Sequence, residues 1–264
     1  MRLFSTFAEG KVFMTTIAAI DKYISSFAMT ELREGWDNDG IMLCRDTETE
    51  VKKAVLCLEM GYEAAEYASK VGAQLIITHH PYIFNPVRSI VGEKCRELEI
   101  LIKNDISVLS YHTRYDKAVD GVNDVLARAL GLENITDNGS FLRCGELPEG
   151  MSGDDFARLL RERLGCGVMK TYFEKDAVIK RVAVCGGAGK GFAEEVAKIA
   201  DAYVSADFSH ETFLDAKRLG IAVFDAGHYH TENPAVKALC ERLKSEFSSV
   251  DFDFYDVGCP FFTV

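Results

Sequence analysis

The residues best suited to chemistry in this 264-residue chain are its six histidines. Each lies at or just beyond the end of a predicted strand: His79, His80, His112, His210, His228 and His230. Ligands of open α/β sheets bind in the crevice outside the carboxyl ends of the strands. We therefore expect one sheet edge to collect all six imidazoles.

Carboxylates lie close to these histidines in the sequence: Asp116, Asp207, Asp225 and Glu232. Imidazole and carboxylate together suit Zn, Fe or Mn, and the donors outnumber those that a single ion needs. This surplus favours a two-metal site with a bridging carboxylate. The alternative is that the six histidines are polar loop residues, each satisfied independently.

Two local features make this convergence conditional. His79 and His80 are adjacent, so they point to opposite faces of a strand unless the chain turns, and Pro81 favours such a departure. Pro234 follows the segment GHYHTE closely and must fall outside the next helix or in its first turn. It stays open whether His228 and Glu232 share a helix face or converge from a loop.

The surrounding pattern alternates strands and helices, which is typical of a layered α/β domain. The pattern predicts strands over 54–58, 74–78, 106–111, 181–185, 202–205, 221–224 and 252–254, and helices over 17–27, 62–71, 94–104, 121–130, 154–164, 192–200, 211–219 and 235–247. The polar, Gly-rich stretch 133–149 is predicted to be a boundary between two lobes.

Composition excludes several classes of protein. The net charge of −11 repels nucleic acid and anionic membranes, so neither is an expected partner. Every apolar run is too short for a membrane-spanning helix. The eight cysteines form no CxxC pair and are predicted to be reduced in a cytoplasmic protein. Residues 1–13 are a poor signal peptide and are predicted to be a tail.

The glycine cluster at 185–191 lies between a predicted strand and a helix, as a phosphate-binding loop would. Val184 and Gly191 stand where a Walker loop needs Gly and Ser or Thr, and Phe192 breaks the GxGxxG pattern. Tight packing of strand against helix is therefore the favoured interpretation.

Aromatic residues near the histidines leave alternatives open. Trp36, the only tryptophan, is either a packing anchor or a platform for a base. Tyr82, Phe84 and Arg88 line either a pocket mouth or a subunit contact.

Six segments occur together in the order WDNDGIML (36–43), IITHHPYIF (76–84), YHTRYDKAVDGVND (111–124), KRVAVCGGAG (180–189), ADFSHETFLDA (206–216) and FDAGHYHTE (224–232). In this order and spacing the chain resembles the Nif-three-like family, often labelled GTP cyclohydrolase I type 2, over roughly residues 14–264. The HHP, HTxxD and GHxxTE elements are specific only in combination.

The resemblance implies an α/β/α layered fold of two similar lobes, in the short form without a central insertion domain. Lobe one would span about 14–132, with the C-terminal segment packing back on it, and lobe two about 133–225. The family forms a ring-shaped homohexamer with two divalent metal ions, Zn, Fe or Mn, in each subunit. The implied metal ligands are His79, His80, Asp116, His228 and Glu232.

The resemblance also implies residues with roles beside the metals. His112 would orient ligands or face the substrate, and His112 or His230 could shuttle protons as catalytic residues. This chain has Asp39 where the family usually has Val, and Arg114 and Tyr115 where it tends to have Asn and Leu. Arg114, Tyr115 and His230 are expected to line the pocket.

The function expected from these residues is metal-dependent hydrolysis of a small, nucleotide-like substrate, such as the guanine ring of GTP or a phosphoester. Arg88, Arg114 or Lys117 would hold its phosphates. The alternative is a non-catalytic metal-binding ring that stores or delivers metal or docks a protein partner.

Overall fold

The computed structural model describes residues 14–137 and 140–262, so the predicted tail at 1–13 lies outside the described residues. The first half of the chain contains helices α1 (Ile17–Ser25), α2 (Tyr62–Val71), α3 (Glu93–Lys103), α4 (Thr113–Lys117) and α5 (Val122–Ala129), and strands β1 (Gly40–Leu43), β2 (Lys53–Cys57), β3 (Leu75–Thr78) and β4 (Ser107–Ser110). A short 3-10 helix spans Thr30–Leu32.

The second half contains strands β5 (Glu133–Asp137), β6 (Arg143–Ser152), β7 (Lys170–Tyr172), β8 (Val178–Ala188), β9 (Ala202–Ala206), β10 (Ala222–Asp225) and β11 (Asp251–Phe254). Its helices are α6 (Gly153–Leu164), α7 (Ala193–Val196), α8 (His210–Leu219) and α9 (His228–Glu246).

The strands form two sheets within the described ranges. The first has the order β1-β4-β3-β2-β11 and the second β5-β6-β8-β9-β10-β7. Strands β11, β2, β3 and β4 pair in parallel, as do β8, β9 and β10, while β1, β5, β6 and β7 join antiparallel. Parallel pairing needs helical crossovers, which explains why strands and helices alternate along the chain.

Each sheet is covered by apolar side chains on both faces. In β2, Ala54 and Leu56 belong to one core cluster and Val55 and Cys57 to another, as the pleat of a strand requires. The central strands of the second sheet alternate in the same way between two further clusters. The protein is therefore the predicted layered α/β fold with two sheets.

Helix α9 links the two sheets. It begins directly after β10 of the second sheet, but its buried residues Val236, Leu239 and Leu243 pack in the core cluster of the first sheet. The strand that follows it, β11, pairs with β2. The first turn of α9 is therefore held where the two sheets meet.

Two predictions for local structure were wrong, and some strands were not predicted. The stretch 133–149 contains β5 and most of β6, which pair with each other in the second sheet and were not predicted as strands. The last helix begins at His228 instead of Ala235, and α7 covers only four of the nine residues predicted for a helix at 192–200. Strand β7 was not predicted.

No helix in the described part of the chain is both long and apolar enough to cross a membrane. All eight cysteines carry free thiols.

Candidate metal centre

The chain turns directly after β3, and this turn brings His79 and His80 to one side. The backbone N–H groups of both residues donate to the carbonyl oxygen of Leu58, at 3.1 and 2.9 Å. Two successive donors on one acceptor are incompatible with a continuing strand, so the two side chains no longer alternate. Their ring centroids lie 5.3 Å apart.

The tautomer of His79 is fixed by its surroundings. Its Nδ1 donates a hydrogen bond of 2.8 Å to the carbonyl oxygen of Tyr111, which leaves Nε2 as the second ring nitrogen facing the interior. Nε2 lies 3.4 Å from Asp116 Oδ1 and 3.7 Å from Glu232 Oε1. Within the described residues, neither Nε2 nor Asp116 Oδ1 has a hydrogen-bond partner, and both are buried.

His112 joins this pair from the start of α4. Its Nδ1 donates to Asp37 Oδ1 at 2.8 Å, so its Nε2 is left for another partner. The rings of His79 and His112 lie 5.4 Å apart. One donor atom each from His79, His112 and Asp116 falls within 4.8 Å of the others, which is close enough for all three to bind one metal ion.

His228 and Glu232 share one face of α9. They are four residues apart in the helix, and His228 Nε2 lies 3.0 Å from Glu232 Oε2. His80 Nε2 lies 2.9 Å from the same oxygen. The Nε2 atoms of His80 and His228 lie 3.3 Å apart. The helix passes through Pro234, so this proline does not prevent the helical facing that the sequence left open.

Glu232 contacts both groups of donors. Its Oε1 faces His79 and its Oε2 faces His80 and His228. The carboxylate is only 4% exposed. The buried carboxylate therefore directs one oxygen at each group of imidazoles.

Carboxylates also lie behind three of the imidazoles. Asp37 accepts from His112 Nδ1, Asp207 accepts from His228 Nδ1 at 2.7 Å, and Glu59 lies 3.7 Å from His80 Nδ1. Such partners orient metal-binding histidines and raise their basicity. Asp37 and Glu59 were not predicted as site residues. Asp37 directly follows Trp36, the only tryptophan, and Glu59 directly follows the predicted strand 54–58.

Opposite charges shift the pKa values of this cluster. Burial alone lowers the pKa of His79, but the carboxylates of Asp116 and Glu232 outweigh burial and raise it well above the usual value. Burial also opposes the charge on His228, yet Glu232 and Asp207 raise its pKa to about 9. For Glu232, burial is outweighed by the neighbouring histidines, which hold its pKa well below the usual range.

The glycine cluster forms part of the wall around Glu232. A Cβ on Gly187, whose φ is +64°, would lie 2.1 Å from Glu232 Oε1. The Gly187 N–H donates to Thr231 Oγ1, and the Gly186 N–H donates to Asn123 Oδ1. Close packing is therefore the observed role of Gly186 and Gly187, as the sequence favoured.

Most of the chain matches one family. A model of Duf34/NIF3 (NGG1p interacting factor 3) matches residues 15–258. The chain belongs to the NIF3 family.

Related proteins in this family share the length and fold of the chain. A Clostridium perfringens protein named "GTP cyclohydrolase 1 type 2 homolog" is 31% identical over 242 residues, covering 88% of this chain and 92% of that protein. A Methanocaldococcus jannaschii protein of the same name is 32% identical, covering 88% and 98%. The structure of Staphylococcus aureus protein SA1388 matches with a TM-score of 0.85 and 26% identity, covering 94% and 99%. The structure of reduced HcgD from M. jannaschii matches with a TM-score of 0.80 and 29% identity, covering 92% of this chain and 99% of that chain.

Two of the six histidines are not in the cluster of this NIF3 protein, so the prediction that one edge collects all six was wrong. His210 is exposed at the start of α8. His230 packs its ring against Tyr229, and burial lowers its pKa. His230 lines one cavity with Leu164 and Asn233 and another with Asp207 and His228. Its catalytic role stays a prediction.

The departures from the NIF3 family pattern lie inside the protein. Arg114 is 3% exposed, its Nε lies 3.0 Å from Asp39 Oδ2, and its Nη1 donates to Ser25 Oγ. Tyr115 is 2% exposed and donates its hydroxyl to the Ala235 carbonyl. The expectation that Arg114 and Tyr115 line the pocket was wrong, because these side chains hold the interior around α4 together.

Proposed function

We propose that this chain binds two divalent metal ions, Zn, Fe or Mn, and that it hydrolyses a small, nucleotide-like molecule. The two donor groups and the bridging position of Glu232 support the metal-binding part. The hydrolase part is supported by relatives named "GTP cyclohydrolase 1 type 2 homolog".

One observation carries the metal-binding proposal. His79 uses its Nδ1 hydrogen on a backbone carbonyl, so its Nε2 faces the carboxylate oxygen of Asp116, 3.4 Å away, and neither atom has a hydrogen-bond partner among the described residues. A buried polar atom without a partner is costly. A metal cation between Nε2 and Oδ1 satisfies both atoms at once.

The donors divide into two sets. His79, His112 and Asp116 would hold one ion. His80, His228 and Glu232, whose donor atoms lie within 3.3 Å of one another, would hold the other. His79 also lies close enough to His80 and Glu232 to join the second set. His79 can serve only one ion because its Nδ1 is already donated. This division adds His112 to the five ligands that the family resemblance implied.

Bound divalent ions would lower the pKa of a water molecule so that hydroxide is available near neutral pH. The chain's own residues prepare the site for this chemistry. Asp37 and Asp207 hold His112 and His228 with Nε2 directed inward. The bridging carboxylate of Glu232 fixes the spacing of the two donor sets.

Elemental analysis of the wild type and of His228→Ala tests this proposal, with His210→Ala as the matched control. After loosely bound ions are removed, we expect about two ions per chain in the wild type and in His210→Ala, and about one or none in His228→Ala. A wild type that stays metal-free when offered Zn, Fe and Mn would contradict metal binding. Two ions without hydrolysis of any compound in a nucleotide panel would contradict the hydrolase part.

Metal binding at pH 7 is expected to release about one proton or more per chain. The pKa of His228 is raised to about 9, so its imidazole is protonated at pH 7 and must lose a proton to bind metal. Calorimetric titration with Zn²⁺ in buffers of different ionisation enthalpy measures this release. Apparent enthalpies that do not change with the buffer would contradict the prediction.

We also propose the homohexamer that the family resemblance implied. Light scattering after size exclusion should then give about six times the chain mass of 29.3 kDa. A monomer mass at micromolar concentration would contradict it.

A further inference from the structure

A cavity of about 390 Å³ lies directly against the proposed metal centre. The residues around it come from both halves of the chain: Trp36, Phe84, His112, Thr113, Asp116, Phe141, Cys185, Gly186, Ala188, Phe192, His228 and Glu232. Four of the proposed metal ligands are therefore also cavity walls.

Four aromatic side chains line this cavity in two pairs. Trp36 and Phe84 have ring centroids 6.2 Å apart, and Phe141 and Phe192 have theirs 6.3 Å apart. Trp36 is 63% exposed and Phe84 is 45% exposed, although burial of such large rings is favourable. Exposed aromatic groups beside a cavity indicate a binding surface for a ligand that covers them.

The described walls of the cavity include no Lys or Arg, while Asp116 and Glu232 contribute carboxylates. Two of the three predicted phosphate-binding cations are paired: Arg114 is buried against Asp39, and Lys117 forms an ion pair with Glu34 and lies over the ring of Phe141. Imidazoles of His112 and His228 also line the walls. The aromatic side chains of the walls offer stacking surfaces to a ligand.

From this combination we propose that the cavity binds a planar heteroaromatic ligand of the nucleobase or nucleoside class through its ring. The ring stacks on Trp36 and Phe84, because aromatic side chains bind the π-face of a base without needing its phosphates. A ring oxygen or nitrogen then faces the metal centre. The contact between the ligand and the metal ions rests on the proposed function. Stacking on the aromatic walls does not depend on metal.

Trp36 makes the proposal directly measurable, because the chain has no other tryptophan. Guanosine and GTP are titrated separately into metal-loaded and metal-free protein, with Trp36 fluorescence and calorimetry as readouts. We expect guanosine to change the fluorescence in both forms and to bind more tightly to the loaded form. In the metal-free protein, GTP should also change the fluorescence, since its guanine ring is the part that stacks.

Variants separate stacking from other causes of binding. Phe84→Leu and Phe192→Leu should each weaken guanosine binding at least about fivefold. Phe262→Leu is the matched control, because Phe262 is 89% exposed and lines a different cavity. Thermal unfolding of every variant shows whether it is folded.

Three outcomes would overturn this inference: no guanosine binding to metal-loaded wild type, no fluorescence change with GTP in metal-free protein, or wild-type guanosine affinity in both folded Phe→Leu variants. Failure of the proposed function looks different. In that case, elemental analysis finds no metal, yet guanosine still changes Trp36 fluorescence and Phe84→Leu still weakens its binding.

Discussion

The Gly187→Ala variant is expected to bind less than about a tenth of the amount of metal that the wild type binds at limiting metal concentration. The new Cβ would lie 2.1 Å from Glu232 Oε1 and 3.1 Å from His228 Nε2, so the bridging carboxylate must move. The backbone adds strain of roughly 1 kcal/mol, because Gly187 has a φ of +64°. Zn²⁺ titration followed by elemental analysis measures the loss.

The matched control is Gly61→Ala. Gly61 has no heavy atom within 4 Å of a built Cβ and an extended φ of −148°, so alanine fits there without strain. This variant should keep the wild-type metal content. Wild-type metal affinity in Gly187→Ala would show that Glu232 is not held by the glycine wall and would contradict its placement as the bridging ligand.

Arg143→Met is expected to lower the free energy of unfolding by about 3–5 kcal/mol. Arg143 is 1% exposed, and its Nε donates to Asp124 Oδ1 at 2.7 Å. Its Nη2 donates to the carbonyl oxygens of Lys117 and Ala118, directly after the proposed ligand Asp116. The variant leaves Asp124 buried without its cation. It also removes the hydrogen bonds that join the end of α4 to β6.

Urea unfolding in the presence of a chelator measures this change without the stabilising effect of bound metal. Arg158→Met is the control, because Arg158 is 64% exposed and its ion pair with Asp155 lies on the surface of α6. The control should change stability by less than about 0.5 kcal/mol. An equal effect in the two variants would contradict the interior role of Arg143.

The sequence predicted the core of the candidate centre because strand ends and helix starts are visible in it. Parallel strands β3 and β4 end side by side, so His79, His80 and His112 had to meet once their strands were recognised. The role of His112 could not be predicted in the same way. It depends on Asp37, which is 75 residues away and which engages Nδ1 and leaves Nε2 facing the cluster.

The elements that were not predicted from the sequence depend on packing between residues far apart in the chain. Strand β6 contains Pro148 and Gly150 and pairs with β8 through a register shift between Glu146 and Met151, so no regular alternation marks it. The start of α9 was predicted too late because Pro234 usually marks a first turn. Here the residues on either side of Pro234, including Glu232 and Val236, are buried, and their packing holds the helix together through the proline.

The buried ion pair of Asp39 and Arg114 links the evolution of the two positions. Both positions depart from the pattern that the family resemblance implies, and the two side chains are 2% and 4% exposed against each other. An ancestor with Arg114 alone would have lost the carboxylate that its buried guanidinium faces, and one with Asp39 alone would have kept only Arg33, which lies 3.8 Å away and is 40% exposed. Removing one partner of a buried pair costs up to about 3–5 kcal/mol. The two substitutions are therefore expected to have become fixed close together in time, and descendants that lose one should soon lose the other.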